Sequence, residues 1–168
     1  RKYTANEYLK IVKKLRKIYP GFEFSSDFIV GYPGEQEEDF EKTIDFIKKV
    51  KFINSYSFVY NKRPGTPAAQ LESINSGVQK KRLIILQNLL DKIQIKKNKS
   101  FLGKTKKVLI ENKMKSSDKF FGRTKELTPV IFENTFEKVG EIVDVEINNY
   151  NRSSLFGFAK KDDKEVAA

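Results

Sequence analysis

Two glycine- and proline-rich loops contain the candidate ligand-binding residues of this sequence. The first is Asp27-Phe-Ile-Val-Gly31-Tyr-Pro33-Gly34-Glu35, and the second is Tyr60-Asn-Lys-Arg63-Pro-Gly-Thr-Pro67. Each includes or follows a short apolar run typical of a buried strand, and ligands of parallel sheets bind where such strands lead into helices. Glycine lets the backbone approach a ligand closely, and the start of a helix attracts negative charge. A tight turn before a capped helix and a rigid surface connection are the alternative interpretations.

The residue types that are absent limit this chemistry. The 168 residues include no cysteine and no histidine. This excludes disulfides, a cysteine-bound metal or iron–sulfur cluster, and Ser/His/Asp or Cys/His catalysis by this chain. We therefore expect no catalytic residue and no metal ligand here. The chain begins at Arg1, in what resembles the lead-in to a helix, so we expect a preceding segment of the parent protein.

The formal net charge is +11, and most of it falls in one stretch. Residues 79–107 hold ten Lys or Arg against one acid, a local net charge of +9. Such a stretch favours a polyanionic partner, although a codon bias towards A and T would also enrich lysine. No apolar run approaches the roughly 20 residues that cross a bilayer, and no leader opens the chain. We expect a cytoplasmic protein without membrane contact.

The elements that must position the two loops are helices and strands in alternation. Thr4-Ala-Asn-Glu7 is a capping box at the start of a helix, and apolar runs at 24–30 and 55–60 predict strands. A long basic helix follows at about residues 78–99. This alternation is the pattern of a parallel sheet with crossover helices. Two strands do not complete such a sheet, so residues 1–100 are expected to be the C-terminal part of an α/β domain.

The residue pattern changes after Ser100 from helix-type to strand-type segments. About five short β-type segments follow one another, separated by turns with glycine at several corners. Short strands at this spacing predict a small all-β barrel of OB-like design. We assign the barrel to residues 101–160 and expect residues 161–168 to be a frayed tail.

Six pieces of the chain are recognisable as a set by their order and spacing. They are Arg1-Lys-Tyr-Thr4, Glu7-Tyr-Leu9, Ser26-Asp-Phe-Ile-Val-Gly-Tyr-Pro-Gly-Glu35, Glu38-Asp-Phe40, Arg63-Pro-Gly-Thr-Pro-Ala-Ala69 and Arg82-Leu-x-x-Leu-Gln87. This set resembles the second half of the radical S-adenosylmethionine methylthiotransferases.

The later motifs Gly122-Arg-Thr124 and Ser154-Leu-x-Gly157 resemble the closing TRAM domain of that family, an RNA-binding β-barrel. Many relatives carry Asn a few residues after Gly-Arg-Thr. This chain departs from that pattern with Lys125-Glu-Leu-Thr-Pro129, which puts any contact made by that Asn in doubt.

The resemblance implies a fold, a chemistry and a site. Family members replace a C–H hydrogen by a methylthio group with S-adenosylmethionine, a sulfur source and two 4Fe–4S clusters, held by cysteines of the first half that include a C-x3-C-x2-C signature. Residues 1–70 would supply the last strands of a partial barrel, and this cysteine-free chain would be inactive alone. The residues expected to bind S-adenosylmethionine are Ser26, Asp27, Gly31, Pro33, Gly34, Tyr60 and Arg63, the last two lying near its pocket or the entering base.

The family also implies alternative substrates. Its commonest branch modifies N6-isopentenyladenosine at position 37 of tRNA, so the expected partner is the tRNA anticodon stem-loop, bound by a monomer. Other branches act on threonylcarbamoyladenosine 37 or on a ribosomal-protein aspartate. Residues 101–168 hold 13 basic and 11 acidic residues, which favours RNA, and Leu86-Gln87 favours the isopentenyl branch. A non-catalytic RNA-binding module is the alternative from another class.

The basic helix end and the first barrel strand are expected to form one cationic strip for RNA phosphates. Its members are Lys96, Lys97, Lys99, Lys104, Lys106 and Lys107. Arg123 and Arg152 are expected to be further phosphate contacts. Phe121, with Phe120 and Phe156, could stack on unpaired bases, although aromatic residues at alternating strand positions often belong to a barrel core.

Overall fold

The computed structural model describes residues 3–115, 117–133 and 138–160. Within it the chain divides into two units, Arg1–Ile93 and Gln94–Ala168. The division falls inside a long helix, seven residues before the boundary expected from the sequence. The expected frayed tail at 161–168 lies outside the described residues.

The first unit alternates helices and strands as the sequence predicts. Its elements are α1 (Ala5–Ile18), β1 (Asp27–Val30), α2 (Glu37–Val50), β2 (Tyr56–Val59), a 3-10 turn (Pro67–Gln70) and α3 (Ser76–Lys99). The strands β1 and β2 are parallel, with Asp27 opposite Tyr56 and Val30 opposite Val59. The predicted α/β fold class is confirmed for this part of the chain.

Local signals explain where these elements begin. The capping box closes α1, because the Thr4 hydroxyl accepts from the Glu7 N–H at 3.3 Å and the Glu7 carboxylate accepts from the Thr4 N–H at 2.7 Å. The Thr4 backbone N–H and then its hydroxyl lower the pKa of Glu7. Helix α3 begins two residues before the predicted Val78, since the Asn75 side chain accepts from the Gly77 N–H at 2.8 Å.

Strand β1 is shorter than the predicted run of residues 24–30. It starts at Asp27 because the Ser26 N–H bonds to the Ser55 hydroxyl at 3.0 Å instead of to a strand carbonyl. A side chain thus takes the place of a ladder partner at the entry to the strand.

The core of the first unit lies between the sheet and the helices. Its buried residues are Val12, Val30, Phe40, Ile47, Val50, Phe52, Leu86 and Leu90. Helix α3 contributes Leu86 and Leu90, so its first half belongs to this core. Within the described residues, none of the helices combines the length and the apolar character that crossing a bilayer requires.

The second unit contains a closed five-stranded barrel. Its strands are β3 (Thr105–Lys113), β4 (Phe120–Thr124), β5 (Pro129–Glu133), β6 (Ile142–Tyr150) and β7 (Leu155–Ala159), in the order β3-β4-β5-β7-β6. All neighbouring pairs are antiparallel except β5 and β7. The predicted OB-like barrel is confirmed.

Two glycines let the barrel strands approach each other closely. Gly122 lies opposite Ile110 and Gly157 opposite Ile147, and in each pair the register shifts beside the partner residue. A Cβ on Gly157 would lie 2.1 Å from the Glu146 carbonyl oxygen, and one on Gly122 would lie 2.2 Å from that of Leu109. Strands bend sharply where a bulge meets a glycine. The glycines of the two recognised barrel motifs therefore serve the curvature of the barrel.

Candidate cofactor loop and nucleic-acid interface

Two Pro-Gly turns follow the two parallel strands at their carboxyl ends. After β1, the Glu35 N–H donates to the Tyr32 carbonyl at 2.9 Å across Pro33-Gly34. After β2, the Thr66 N–H donates to the Arg63 carbonyl at 3.2 Å across Pro64-Gly65. Gly34 and Gly65 have φ of 86° and 81°, the left-handed conformation that a type II turn requires at its third residue. Five of the seven predicted cofactor residues belong to these loops: Gly31, Pro33, Gly34, Tyr60 and Arg63.

The first loop, residues 31–35, is held by side chains of α3. The Gln79 amide donates to the Gly31 carbonyl at 3.0 Å, and the Arg82 guanidinium donates to the Glu35 carbonyl at 3.0 Å. The Glu35 carboxylate also accepts from the Gly31 N–H. Both ends of the loop are therefore fixed by α3 and by the loop's own carboxylate.

A shallow groove opens beside this loop, lined by residues 33–36 and 71–74. The start of α2 adjoins it, but its positive end is already matched by carboxylates. The first turn carries Glu37, Glu38 and Asp39. The Gln36 N–H, and then Lys42, lower the pKa of Asp39. The attraction for an anionic ligand predicted at this helix start is thus largely offset by the chain's own acids.

Tyr60 is the aromatic residue of the second loop that lies against the first. Its ring meets that of Tyr32 edge-on with centroids 5.1 Å apart. The Tyr60 hydroxyl is buried and has no hydrogen-bond partner among the described residues. A buried phenol normally finds a partner, so the hydrogen-bonding capacity of this hydroxyl is unmet within the described residues.

Ser26 and Asp27 lie apart from the other five predicted cofactor residues. They stand at the amino end of β1, whereas the two loops follow the carboxyl ends of the strands. Asp27 is exposed, on the same face as Ile29, Tyr56 and Phe58, which are 60%, 68% and 52% exposed. The structure therefore does not bring all seven residues to one place, because a four-residue strand separates them.

In the second unit, the last turn of α3 is fastened to the barrel by two buried residues. The fully buried Asn98 donates to the carbonyls of Asn151 and Arg152 at 2.9 and 3.1 Å. Phe101 lies in the barrel core. These contacts bring the β6–β7 loop, including the backbone of Arg152, against the helix end that carries the lysines.

The predicted cationic strip is not uniform. Lys96, Lys99 and Lys104 are exposed, and no ion pair is formed by them within the described residues. Lys97 lies with its ammonium 5.3 Å from the Phe101 ring centroid. Lys106 is half-buried, 3.2 Å from Glu126 and 4.5 Å from the same ring.

Two further predicted cations of the barrel have acidic partners. Lys107 pairs with Asp144 at 3.3 Å, and Arg123 with Glu111 at 2.6 Å. The exposed Lys107–Asp144 pair is weak and can exchange for phosphate, whereas Arg123 and Glu111 are half-buried and the Arg123 Nη1 contacts both carboxylate oxygens. Lys96, Lys99 and Lys104, here called the helix-end lysines, have no carboxylate partner within the described residues to exchange for a phosphate.

The barrel places one of the three phenylalanines considered for base stacking inward and the other two outward. Phe120 packs on the core and stacks with Phe132, with centroids 5.9 Å apart. Phe121 and Phe156 face outward, since their strand neighbours Gly122 and Gly157 are buried. Both lie directly opposite Ile131, so the three residues form a row across β4, β5 and β7. Arg123 lies over Phe121, 5.3 Å from its ring centroid.

The Gly-Arg-Thr motif continues into a tight turn between β4 and β5. The Thr124 hydroxyl accepts from the N–H groups of Glu126 and Thr128 at 3.3 Å each. Burial raises the pKa of Glu126, but hydrogen bonds from Thr124 and Lys106 outweigh it and the net shift is downward. Leu127 has a φ of 60°, where Asn is better tolerated than Leu. A left-handed backbone position therefore lies in the segment after Gly-Arg-Thr, where many members of the resembled family carry Asn.

Sequence reasoning missed Gln79, Arg82, Asn98 and Phe101. The signal for Arg82 was present, because it stands four residues before the buried Leu86 and hence on the inner face of α3. Asn98 gave no signal among the surrounding lysines.

The second unit matches a known domain family. Residues 99–160 match the family model of the TRAM domain. This match includes the helix-end residues Lys99 and Phe101 as well as all five barrel strands.

Similarity to curated relatives extends over the whole chain. It is 52% identical over its full length to the tRNA-2-methylthio-N(6)-dimethylallyladenosine synthase of Pelagibacter ubique, of which it covers 38%. Synthases of the same name from Clostridium novyi and Wolbachia pipientis wMel are 43% and 42% identical over 94% and 95% of the chain, and it covers 35% and 37% of them. The chain thus spans little more than a third of the curated relatives it matches, and it is similar to these synthases over nearly all of its own length.

Proposed function

We propose that this chain is the C-terminal part of a cytoplasmic tRNA methylthiotransferase that adds a methylthio group to C2 of N6-isopentenyladenosine, also called N6-dimethylallyladenosine, at position 37. The observation that carries this proposal is the 52% identity over the full chain to a synthase named for that nucleoside. The same observation favours this branch over threonylcarbamoyladenosine or a ribosomal-protein aspartate as substrate.

The two units would have different binding roles, the first toward S-adenosylmethionine and the second toward tRNA. The loops after β1 and β2 would contact S-adenosylmethionine through Gly31, Pro33, Gly34 and Tyr60, with Arg63 near the entering base. Support comes from the shared strand ends, the adjoining groove and the buried, unpartnered Tyr60 hydroxyl. Bound S-adenosylmethionine supplies radical and methyl-transfer chemistry. The 4Fe–4S clusters do not fit this chain, because it has no cysteine.

The TRAM unit would bind the tRNA anticodon stem-loop. The helix-end lysines offer three positive charges that form no ion pair within the described residues, and Asn98 holds the Arg152 loop beside them. The outward row of Phe121, Ile131 and Phe156 would meet unpaired bases, since aromatic side chains on OB-like sheets stack on single strands. Lys106, Lys107 and Arg123 would contribute by exchanging their carboxylate partners for phosphates.

The test uses the complete polypeptide of which this chain would form the C-terminal part. Replacing Lys96, Lys99 and Lys104 by Gln removes three charges without disturbing any described ion pair. We expect weaker tRNA binding and a salt dependence whose log–log slope falls by about one for each lysine that contacts a phosphate. Reductive cleavage of S-adenosylmethionine should persist.

A matched control removes three charges elsewhere. Lys10, Lys13 and Lys14 of α1 are exposed, and their replacement by Gln should leave the salt slope unchanged. Equal slopes for both triple variants would refute the proposed interface. Absence of methylthio transfer by the unmodified polypeptide, with tRNA binding retained, would favour a non-catalytic RNA-binding module instead.

A further inference from the structure

The recognised sequence Arg82-Leu-x-x-Leu-Gln87 has no role in the proposed function, yet its arginine is buried and contacts three residues of the first unit. The Arg82 side chain is 6% exposed. Its Nη1 lies 3.0 Å from the Glu35 carbonyl and 3.4 Å from the Glu35 carboxylate, and its Nη2 lies 3.0 Å from the Glu37 carboxylate. The guanidinium also lies 5.5 Å from the ring centroid of the buried Phe40.

Gln79 holds the other end of the same loop, one turn earlier on α3. Its amide donates to the Gly31 carbonyl at 3.0 Å. The contact is close, because a Cβ on Gly31 would lie 2.5 Å from Gln79 Cγ. Gly31 also has a φ of 71°, a conformation that the surrounding contacts must maintain.

The geometry points to Gln79 and Arg82 as positioning residues that hold loop 31–35 in its ligand-binding conformation. This inference rests on the proposed contact of that loop with S-adenosylmethionine. Neither residue lines the groove itself: Gln79 fixes the start of the loop, and Arg82 fixes its end through the carbonyl and carboxylate of the groove-lining Glu35. The Glu35 carboxylate closes the loop by accepting from the Gly31 N–H.

A planar guanidinium is needed for this arrangement. Arg82 serves three acceptors on two residues from one side chain, which the single ammonium of lysine does not reproduce. Ordinary core packing by Arg82 would predict the opposite result, since Arg82→Lys keeps the charge and most of the aliphatic stem. The two interpretations therefore separate on this conservative substitution.

The first readout is amide hydrogen exchange on this chain. In Arg82→Lys, exchange at residues 31–35 should rise by at least about tenfold, while the amides of Ile47 and Val50 in α2 keep their protection. Gln79→Ala should loosen the Gly31 end with a smaller effect at Glu35. Lys81→Gln, an exposed neighbour on the same helix, is the matched control and should change neither. Unchanged exchange in Arg82→Lys would overturn the inference.

The second readout uses the complete polypeptide. Arg82→Lys should raise the KM for S-adenosylmethionine by at least about tenfold with an unchanged Kd for tRNA, because a loosened loop loses ground-state and transition-state binding alike. A loosened loop with an unaltered KM would also overturn the inference. If the unmodified polypeptide transfers no methylthio group, the proposed function fails, and the exchange experiment still decides whether Gln79 and Arg82 hold the loop.

Discussion

Replacing Gly157 by Ala should severely destabilise the TRAM barrel. The new Cβ would lie 2.1 Å from the Glu146 carbonyl oxygen and 2.8 Å from Val145 Cγ1, both on the neighbouring strand β6. Carbon and oxygen atoms in contact need more than about 3 Å, so β6 and β7 must separate by about 1 Å. Neighbouring N–H···O bonds would then exceed the roughly 3.2 Å of a normal bond.

The magnitude follows from two costs. Overpacking of a close contact costs about 1–3 kcal/mol, and each of two stretched ladder bonds loses about 1 kcal/mol. The expected loss is about 3–5 kcal/mol, or a fall of more than 10 °C in the Tm of a unit of about 75 residues. Gly122→Ala should behave alike, since its Cβ would lie 2.2 Å from the Leu109 carbonyl oxygen.

The assay is urea denaturation of this chain, followed by far-UV circular dichroism and by amide exchange of β6 and β7. The control is Gly103→Ala. Gly103 has a φ of 70° and open space within 4 Å of its Cβ position, so only the left-handed backbone cost of about 1 kcal/mol applies. If Gly157→Ala unfolds at the same urea concentration as Gly103→Ala, the proposed close approach of the strands is refuted.

Three further substitutions test the same unit. Leu127→Asn should raise the free energy of unfolding by up to about 1 kcal/mol in urea titration, because Asn tolerates the φ of 60° and the Leu side chain is 68% exposed. Asn98→Ala should lower it by about 2–3 kcal/mol, since two loop carbonyls lose their donor, and exchange at residues 151–154 should rise. The pKa of Glu126 is lowered in the folded state, so its contribution to the free energy of unfolding is present above its ordinary pKa of 4.5 and is lost as the pH falls through the folded value. In Glu126→Gln, the free energy of unfolding should therefore fall less steeply in unfolding curves measured from pH 6 downward.

The sequence predicts the elements well because their signals are local. The capping box at Thr4, the two Pro-Gly turns and the alternating barrel strands each depend on residues close in the chain. The extent of β1 is different, because the Ser55 hydroxyl, 29 residues away, takes the Ser26 N–H. The separation of Ser26 and Asp27 from the two loops follows from strand direction, which makes opposite ends of one recognised motif distant in space.

The charge pairing of the barrel depends on closure, and no sequence pattern contains it. Lys107 meets Asp144 because the two are direct partners between β3 and β6. Arg123 meets Glu111 across the register shift between β3 and β4. A count of charges along residues 79–107 therefore overstates the positive surface of the barrel, since acids from distant strands lie beside its lysines.

This pairing explains why the last turn of α3 is part of the proposed RNA-binding surface. The barrel's own cations mostly have carboxylate partners. Within the described residues, the positive charge that forms no ion pair therefore comes from Lys96, Lys99 and Lys104. Asn98 and Phe101 are the residues that fix this turn to the barrel. A boundary at residue 100 would separate two of the three lysines, together with Asn98, from the strands. The boundary within α3 keeps them together, and it is this union of helix end and barrel that gives the TRAM unit a surface on which phosphates can be neutralised without breaking an existing ion pair.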